Sequence, residues 1–182
     1  MVLCPKRAID TWHREFKKHL GRDPDDTVLI INYEQVRTQK GFKKIEEFAE
    51  YGSKLYVNID EIHNLAGVSS QRFLLLDVLL TNRGIHITGT TGTFIRNKTT
   101  SFYAPYRLLT GADLTYKLFA DTFYDDIRRQ PKNLPQLARL YSRIGLRRTL
   151  KDVDIDLPRM NIEKISIKML AEQKKVYNGV LS

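Results

Sequence analysis

Short apolar runs alternate with segments of helical period over the first half of the chain. Met1-Val2-Leu3-Cys4-Pro5 reads as a buried strand, ended by a proline that has no N–H to give to a ladder. Ile9, Trp12, Phe16 and Leu20 then recur at the spacing of one helix face, and Gly21 closes that segment. The spacing predicts Trp12 and Phe16 in the core. Residues 28–33 form a second apolar strand, and Phe42, Ile45, Phe48 and Ala49 mark a short amphipathic helix. A third strand covers 55–59. Residues 73–80 read as a buried helix, with Arg72 and Asp77 as charged interruptions. Ile85-His86-Ile87-Thr88 is a fourth strand that runs into Gly89-Thr90-Thr91-Gly92-Thr93.

Alternating strands and helices predict an α/β fold, a mainly parallel sheet with helices on both faces. The pattern changes after Asn97. Residues 108–124 are aromatic-rich and predicted helical, Pro131 and Pro135 punctuate a loop, and 137–146 form a basic helix. Leu157-Pro158 interrupts the pattern again. Ile162, Ile165 and Ile167 predict an extended segment, and 171–180 a last helix. The chain is thus read as an α/β part, 1–145, followed by a helical C-terminal extension, 146–182.

The third strand ends in Asp60-Glu61-Ile62-His63, so a buried strand delivers two carboxylates and a histidine to its own C-terminal edge. Ligands of open α/β sheets bind at that edge. Two adjacent carboxylates there suit nucleotide hydrolysis: one holds Mg²⁺ and the other orients the attacking water. The plain alternative is a strand end with solvated acids. A lone metallohydrolase site would need the His-Glu-x-x-His pattern, which the chain lacks. His13, His19 and His86 have no partners at ligand spacing and read as structural.

Composition narrows the setting. Of 182 residues, 42% are hydrophobic and 28% charged, enough for a packed core. A single cysteine, Cys4, excludes an internal disulfide framework and cysteine-rich zinc sites. No apolar run approaches the roughly 20 residues that span a bilayer, and no signal-peptide pattern opens the chain. An intracellular setting follows as the expectation, in cytoplasm, nucleus or virus-infected host cell, with no membrane partner. Residues 1–95 carry 13 Lys and Arg against 12 Asp and Glu, whereas 96–182 carry 17 against 9. A basic half favours a polyanion partner, nucleic acid first.

At this point the chain resembles the first motor lobe of superfamily 2 helicase-like ATPases of the Swi/Snf type. Val2-Leu3-Cys4-Pro5-Lys6 with Trp12, Glu15 and Phe16 resembles the family's Pro-Lys strand and Trp-x-x-Glu-Phe helix. Ile31-Asn32-Tyr33-Glu34 resembles its Tyr-Glu strand end. Asp60-Glu61-Ile62-His63 is similar to the Walker B box, and Ser70-Gln71-Arg72-Phe73 to the helix after it. Thr88-Gly89-Thr90 and Asn97 resemble the Thr-Gly-Thr-Pro-x-x-Asn element. Arg147-Arg148, Leu157-Pro158, Gln173 and Tyr177 are similar to the segment leading to the second lobe.

The resemblance implies a partial RecA-like lobe over 1–145 and a connecting segment over 146–182. It implies ATP and Mg²⁺ as cofactors of the complete motor, with Asp60 on Mg²⁺ and Glu61 as the water-positioning base. His63 would link the nucleotide site to the coupling loop Thr88, Gly89 and Thr90. It further implies that Lys6 and Asn97 contact duplex DNA without sequence preference, Asn97 having a helix cap or a hydrogen-bonding turn as its alternative role. Arg147 and Arg148 join them, with the second lobe or solvent as alternatives.

Departures accompany the likeness. No Gly-x-x-x-x-Gly-Lys-Ser/Thr phosphate loop occurs in the chain. In the family that loop lies upstream of the Pro-Lys element, on a strand beside the one that ends in Thr88-Gly89-Thr90. Ala66-Gly67 replaces Lys-Asn, Thr91 stands where the family has Pro, and Gly92-Thr93 lengthens the loop. The expected function is that of a fragment of a DNA-dependent ATPase, or a split motor whose phosphate-loop segment and second lobe are partners. The alternative is a non-catalytic module that binds nucleic acid or a protein partner.

Overall fold

Val2–Cys4 (β1), Ile30–Asn32 (β2), Tyr56–Asp60 (β3) and His86–Thr90 (β4) form one sheet in the order β2-β1-β3-β4. Every pair is parallel, with Ile59 aligned on Leu3 and Gly89, and Asp60 on Thr90. The computed structural model describes the chain except Asn82, Arg96, Leu150, Lys151, residues 153–160 and Ser182. The Leu157-Pro158 interruption lies outside the described residues.

Strand order sets the layers. The connection from β1 to β2 runs outward and that from β2 to β3 runs back across β1. Right-handed crossovers therefore put Ile9–Leu20 (α1) and Gln39–Ala49 (α2) on opposite faces. Gln71–Leu80 (α3) follows the same direction as α2 and shares its face. Between these layers Leu3, Ile31, Ile45, Val57, Ile59, Ile62 and Leu76 form the core. Side chains alternate along β3, so Val57 and Ile59 are fully enclosed while Tyr56, on the other face, is 57% exposed. The helix ends carry the expected devices. Gly21 closes α1 with φ of 67°, and Ser70 Oγ accepts from Phe73 N–H at the start of α3.

Trp12 and Phe16 depart from the sequence expectation. Both are only half-buried, no residue of α1 is buried, and Leu20 is 57% exposed. The reason lies across the sheet. α1 packs against β2, whereas on the same face His86, Thr88 and Thr90 of β4 are exposed. With no second helix beside it among the described residues, α1 covers the sheet with one flank and leaves the other to solvent.

Residues 108–124 form two helices where one was expected. Tyr103–Thr110 (α4) ends at Gly111, whose φ is 63°, and Tyr116–Phe123 (α5) restarts on a Thr115 cap. Arg107 fixes the corner between them. Its Nε donates to Asp77 on α3 at 2.8 Å and its Nη1 to Ala112 O at 2.6 Å. Pro131 is not in an irregular loop: Gln130–Pro131 (β6) pairs antiparallel with Tyr124–Asp125 (β5). Pro135 sits in the first turn of Leu134–Ile144 (α6), where the missing N–H has no helical acceptor to lose. Phe102 ties this part together, with the rings of Phe94, Tyr106, Phe119 and Tyr141 at centroid distances of 5.1 to 6.2 Å.

The chain divides into two units, Met1–Gly145 and Leu146–Ser182. In the second, residues 161–170 lack regular structure and expose Ile162, Ile165 and Ile167, and Ala171–Leu181 (α7) is helical. Among the described residues no helix is long and apolar enough to cross a membrane.

Candidate functional site

The C-terminal ends of β3 and β4 bring Asp60 and Thr90 side by side, because the register pairs them. Thr90 Oγ1 donates to Asp60 Oδ1 at 3.1 Å. The other carboxylate oxygen, Oδ2, accepts from the indole Nε1 of Trp12 at 3.2 Å. Trp12 is thus half-buried with a purpose: its ring leans over the strand end and its N–H finds a buried-side acceptor. Asp60 also acts on its neighbour Cys4. Burial first, and the Asp60 charge second, push that thiol up to about 11, so it stays neutral and unreactive at ordinary pH.

Glu61 follows in the left-handed region, φ 55° and ψ 51°, where a non-glycine residue is strained by about 1–3 kcal/mol unless its surroundings hold it. Tyr33 does so. Its hydroxyl, delivered by the end of β2, donates to Asp60 O at 2.6 Å and reaches Glu61 O at 3.1 Å. Burial first, then the Asp60 charge, raises the phenol above its ordinary 10.0, so it remains a donor across the working pH range. Tyr33→Phe removes the hydroxyl donor from the partly buried Asp60 O, while Glu61 O keeps the Asn64 N–H at 2.9 Å, and is expected to lower stability by about 1–3 kcal/mol. Urea unfolding at unchanged m-value reads that loss. The sign of the pH dependence follows from the raised value. The folded phenol resists ionisation, so this stability is present below the unfolded value near 10.0 and is lost as pH rises above it. Tyr33→Phe should flatten that alkaline decline.

His63 stands one turn on, in the short helical turn Ile62–Leu65. Its Nδ1 lies 2.6 Å from Thr91 Oγ1 and 3.1 Å from Glu61 Oε2. Ile62 is fully enclosed and presses on the backbone of Gly89; a Cβ there would come within 2.6 Å of Ile62 Cδ1. A larger residue at that position of β4 would force the enclosed Ile62 side chain to shift. Thr88 Oγ1 donates to Asn58 Oδ1 at 3.2 Å, below the loop itself.

Two clefts flank the strand end. One, about 420 Å³, is lined by Arg7, Thr11, Trp12, Glu15 and Asp60 among others. The second, about 350 Å³, takes Lys6, Tyr33, Glu61, His63 and Arg72 among its walls. Lys6 is exposed in the turn Lys6–Ala8. Asn97 is exposed at a bend, and the capping position of the turn after it belongs to Lys98. Arg147 and Arg148 are exposed in the second unit. The cluster that the structure brings together is Asp60, Glu61, His63 and Thr90, joined by three residues without an expected site role: Trp12, Tyr33 and Thr91. Of these, Tyr33 carried a signal in its place beside Glu34, and Trp12 in its place on α1.

Among the described residues no group of three His, Cys, Asp or Glu could hold a metal ion alone. A carboxylate has about four lone-pair directions, so Asp60 keeps acceptor capacity beyond Trp12 and Thr90. That donor set fits Mg²⁺ brought in with phosphates, since Mg²⁺ keeps several waters and takes one or two carboxylates.

The fold and the chain have relatives. A solved structure described as "Sulfolobus solfataricus SWI2/SNF2 ATPase core in complex with dsDNA" matches with a TM-score of 0.62 and 22% identity, covering 86% of this chain and 35% of that one. This supports a partial RecA-like α/β fold. A curated Arabidopsis thaliana protein, "Putative SWI/SNF-related matrix-associated actin-dependent regulator of chromatin subfamily A member 3-like 1", is 23% identical over 201 residues. The alignment covers 98% of this chain and 22% of that relative, so the chain spans under a quarter of its length. The family model for the SNF2-related domain matches residues 22–182, and the chain therefore belongs to the SNF2-related domain family.

Proposed function

We propose that the chain contributes the Walker B and coupling elements of the first motor lobe of a Swi/Snf-like DNA-dependent ATPase. A phosphate loop and a second lobe would come from outside these 182 residues. The observation that carries this reading is Asp60 at the sheet's C-terminal edge, hydrogen-bonded to Thr90 at the end of β4. In that role Asp60 would hold magnesium, which when bound neutralises charge on the phosphates. Glu61 orients water, its backbone clamped by Tyr33. Thr90 senses Asp60 directly, so a change at the nucleotide reaches the end of β4. Residues 1–145 are the partial lobe and 146–182 the connecting segment.

Duplex DNA is the proposed partner, through Lys6, Asn97, Arg147 and Arg148 and the basic charge of residues 96–182. Binding should be weak, indifferent to sequence and steeply salt-dependent. Each phosphate neutralised by Lys or Arg contributes about −0.9 to the log–log slope. Three such contacts, Lys6, Arg147 and Arg148, give a slope of roughly −2.7, or about a 40-fold loss of affinity between 50 and 200 mM salt. Fluorescence anisotropy with a labelled duplex measures it, and Lys6→Ala should reduce the slope by about one contact. Binding that ignores salt would remove the physical basis of this partner.

One observation favours a second reading, a non-catalytic binding module: Asp60 and Glu61 line different clefts. Nucleotide hydrolysis requires both carboxylates to serve one ligand. Protection of the chain by Mg²⁺-nucleotide in the presence of a phosphate-loop segment separates the two readings.

A further inference from the structure

Among the described residues His63 Nδ1 has two oxygens within reach, and one proton to offer them. Thr91 Oγ1 is at 2.6 Å and Glu61 Oε2 at 3.1 Å. Only the first contact has hydrogen-bond geometry. Glu61 Oε2 is shielded from solvent and no hydrogen bond among the described residues reaches it. The ring's in-plane direction at Nδ1 therefore runs to Thr91, and the carboxylate oxygen lies beside that line.

The neighbours of Thr91 decide which atom carries the proton. Thr91 Oγ1 donates to Thr93 O at 3.2 Å and accepts from Thr93 N–H at 3.1 Å. A hydroxyl has one proton to give, so with that proton on Thr93 O the oxygen meets His63 as an acceptor. The carboxylate 3.1 Å away acts in the same sense, because a negative oxygen beside Nδ1 favours N–H over a lone pair. In an imidazole, the partner of one ring nitrogen sets the tautomer of both.

We infer that Thr91 is a positioning residue: its hydroxyl takes the His63 Nδ1–H, fixes that tautomer, and keeps the donor off Glu61. The loop after β4 thereby controls whether Glu61 Oε2 is left open. While Thr91 is in place the oxygen has no donor; when the loop draws away, the same N–H turns to the carboxylate and occupies it. The proposal rests on the reading of Glu61 as the water-orienting carboxylate for its functional meaning, and on geometry alone for its structural content.

Nuclear magnetic resonance of the full chain at pH 8, without nucleotide or DNA, tests it. The ring ¹⁵N shifts of His63 report the tautomer, and the side-chain ¹³C shift of Glu61 reports an arriving donor. In the unsubstituted chain, Nδ1 should carry the proton. In Thr91→Val the Nδ1–H resonance should move downfield and the Glu61 carboxyl shift should change with it, as the donor turns to Oε2. Thr91→Ser, which keeps the hydroxyl, should restore both signals. An unprotonated Nδ1 in the unsubstituted chain overturns the proposal before any substitution is made, as does a Thr91→Val spectrum that leaves Glu61 unmoved. Because no nucleotide is present, failure of the ATPase reading does not alter these signals and is recognised separately by the absence of Mg²⁺-nucleotide protection in the presence of a phosphate-loop segment.

Discussion

Purified as 182 residues, the protein is expected to turn over ATP at a rate indistinguishable from background, with or without DNA. Phosphoryl transfer is catalysed mainly by positioning and charge stabilisation. In the proposed reading the chain would contribute one side of that arrangement: Asp60 for the metal and Glu61 for the water, on a turn held by Tyr33. A phosphate loop, absent from the sequence, supplies the backbone N–H groups and the lysine that hold the β- and γ-phosphates. Without them the in-line geometry is not populated. Positioning of this kind is worth about 7–11 kcal/mol, which corresponds to a deficit of roughly five orders of magnitude or more. Phosphate release measured with and without duplex DNA checks this. Turnover by the purified chain that disappears in Glu61→Gln would refute it, and would show that a complete site can be assembled from these residues.

The second large effect concerns the open edge of the sheet. β4 pairs with β3 on one side only among the described residues, and His86, Thr88 and Thr90 are exposed on the α1 face. Unpaired N–H and C=O groups along an edge are a template for another chain. Tyr56, half-buried Trp12 and exposed Leu20 add apolar surface on that face. The isolated chain should therefore be marginally stable and self-associate, even though its net charge of +9 opposes association.

The family resemblance puts the phosphate-loop strand beside this edge, with its helix next to α1. A polypeptide carrying that strand and helix, added at 100 times its dissociation constant, should stabilise the fold by about 2.7 kcal/mol. For a chain of this size that is a rise in melting temperature of roughly 5–10 °C. Sedimentation velocity and thermal unfolding, with and without the added polypeptide, give the answer. A tight monomer with a cooperative high-temperature melt, unchanged by the addition, would sink this idea and favour the binding module.

Period and punctuation alone determined the element order from Val2 to Thr90. Apolar runs bounded by Pro5 and by Asp60 became strands, and Gly21 ended a helix, because those outcomes depend on neighbours within a few residues. The motif Asp60-Glu61-Ile62-His63 was legible for the same reason: chemistry at a strand end needs only the strand and its direction. Tertiary structure decided the rest. Helical spacing states that Trp12 and Phe16 share a face, but burial needs something on the other side of that face, and only the layer arrangement shows that one flank of α1 is open. Gly111 splits residues 108–124 because Arg107 can fasten the corner to Asp77, thirty residues earlier. The same holds at the site. Trp12 meets Asp60 across 48 residues, Tyr33 meets it across 27, and His63 meets Thr91 across 28. Such contacts follow from strand order and register, which are set by the packing of the whole sheet and leave no local period in the chain.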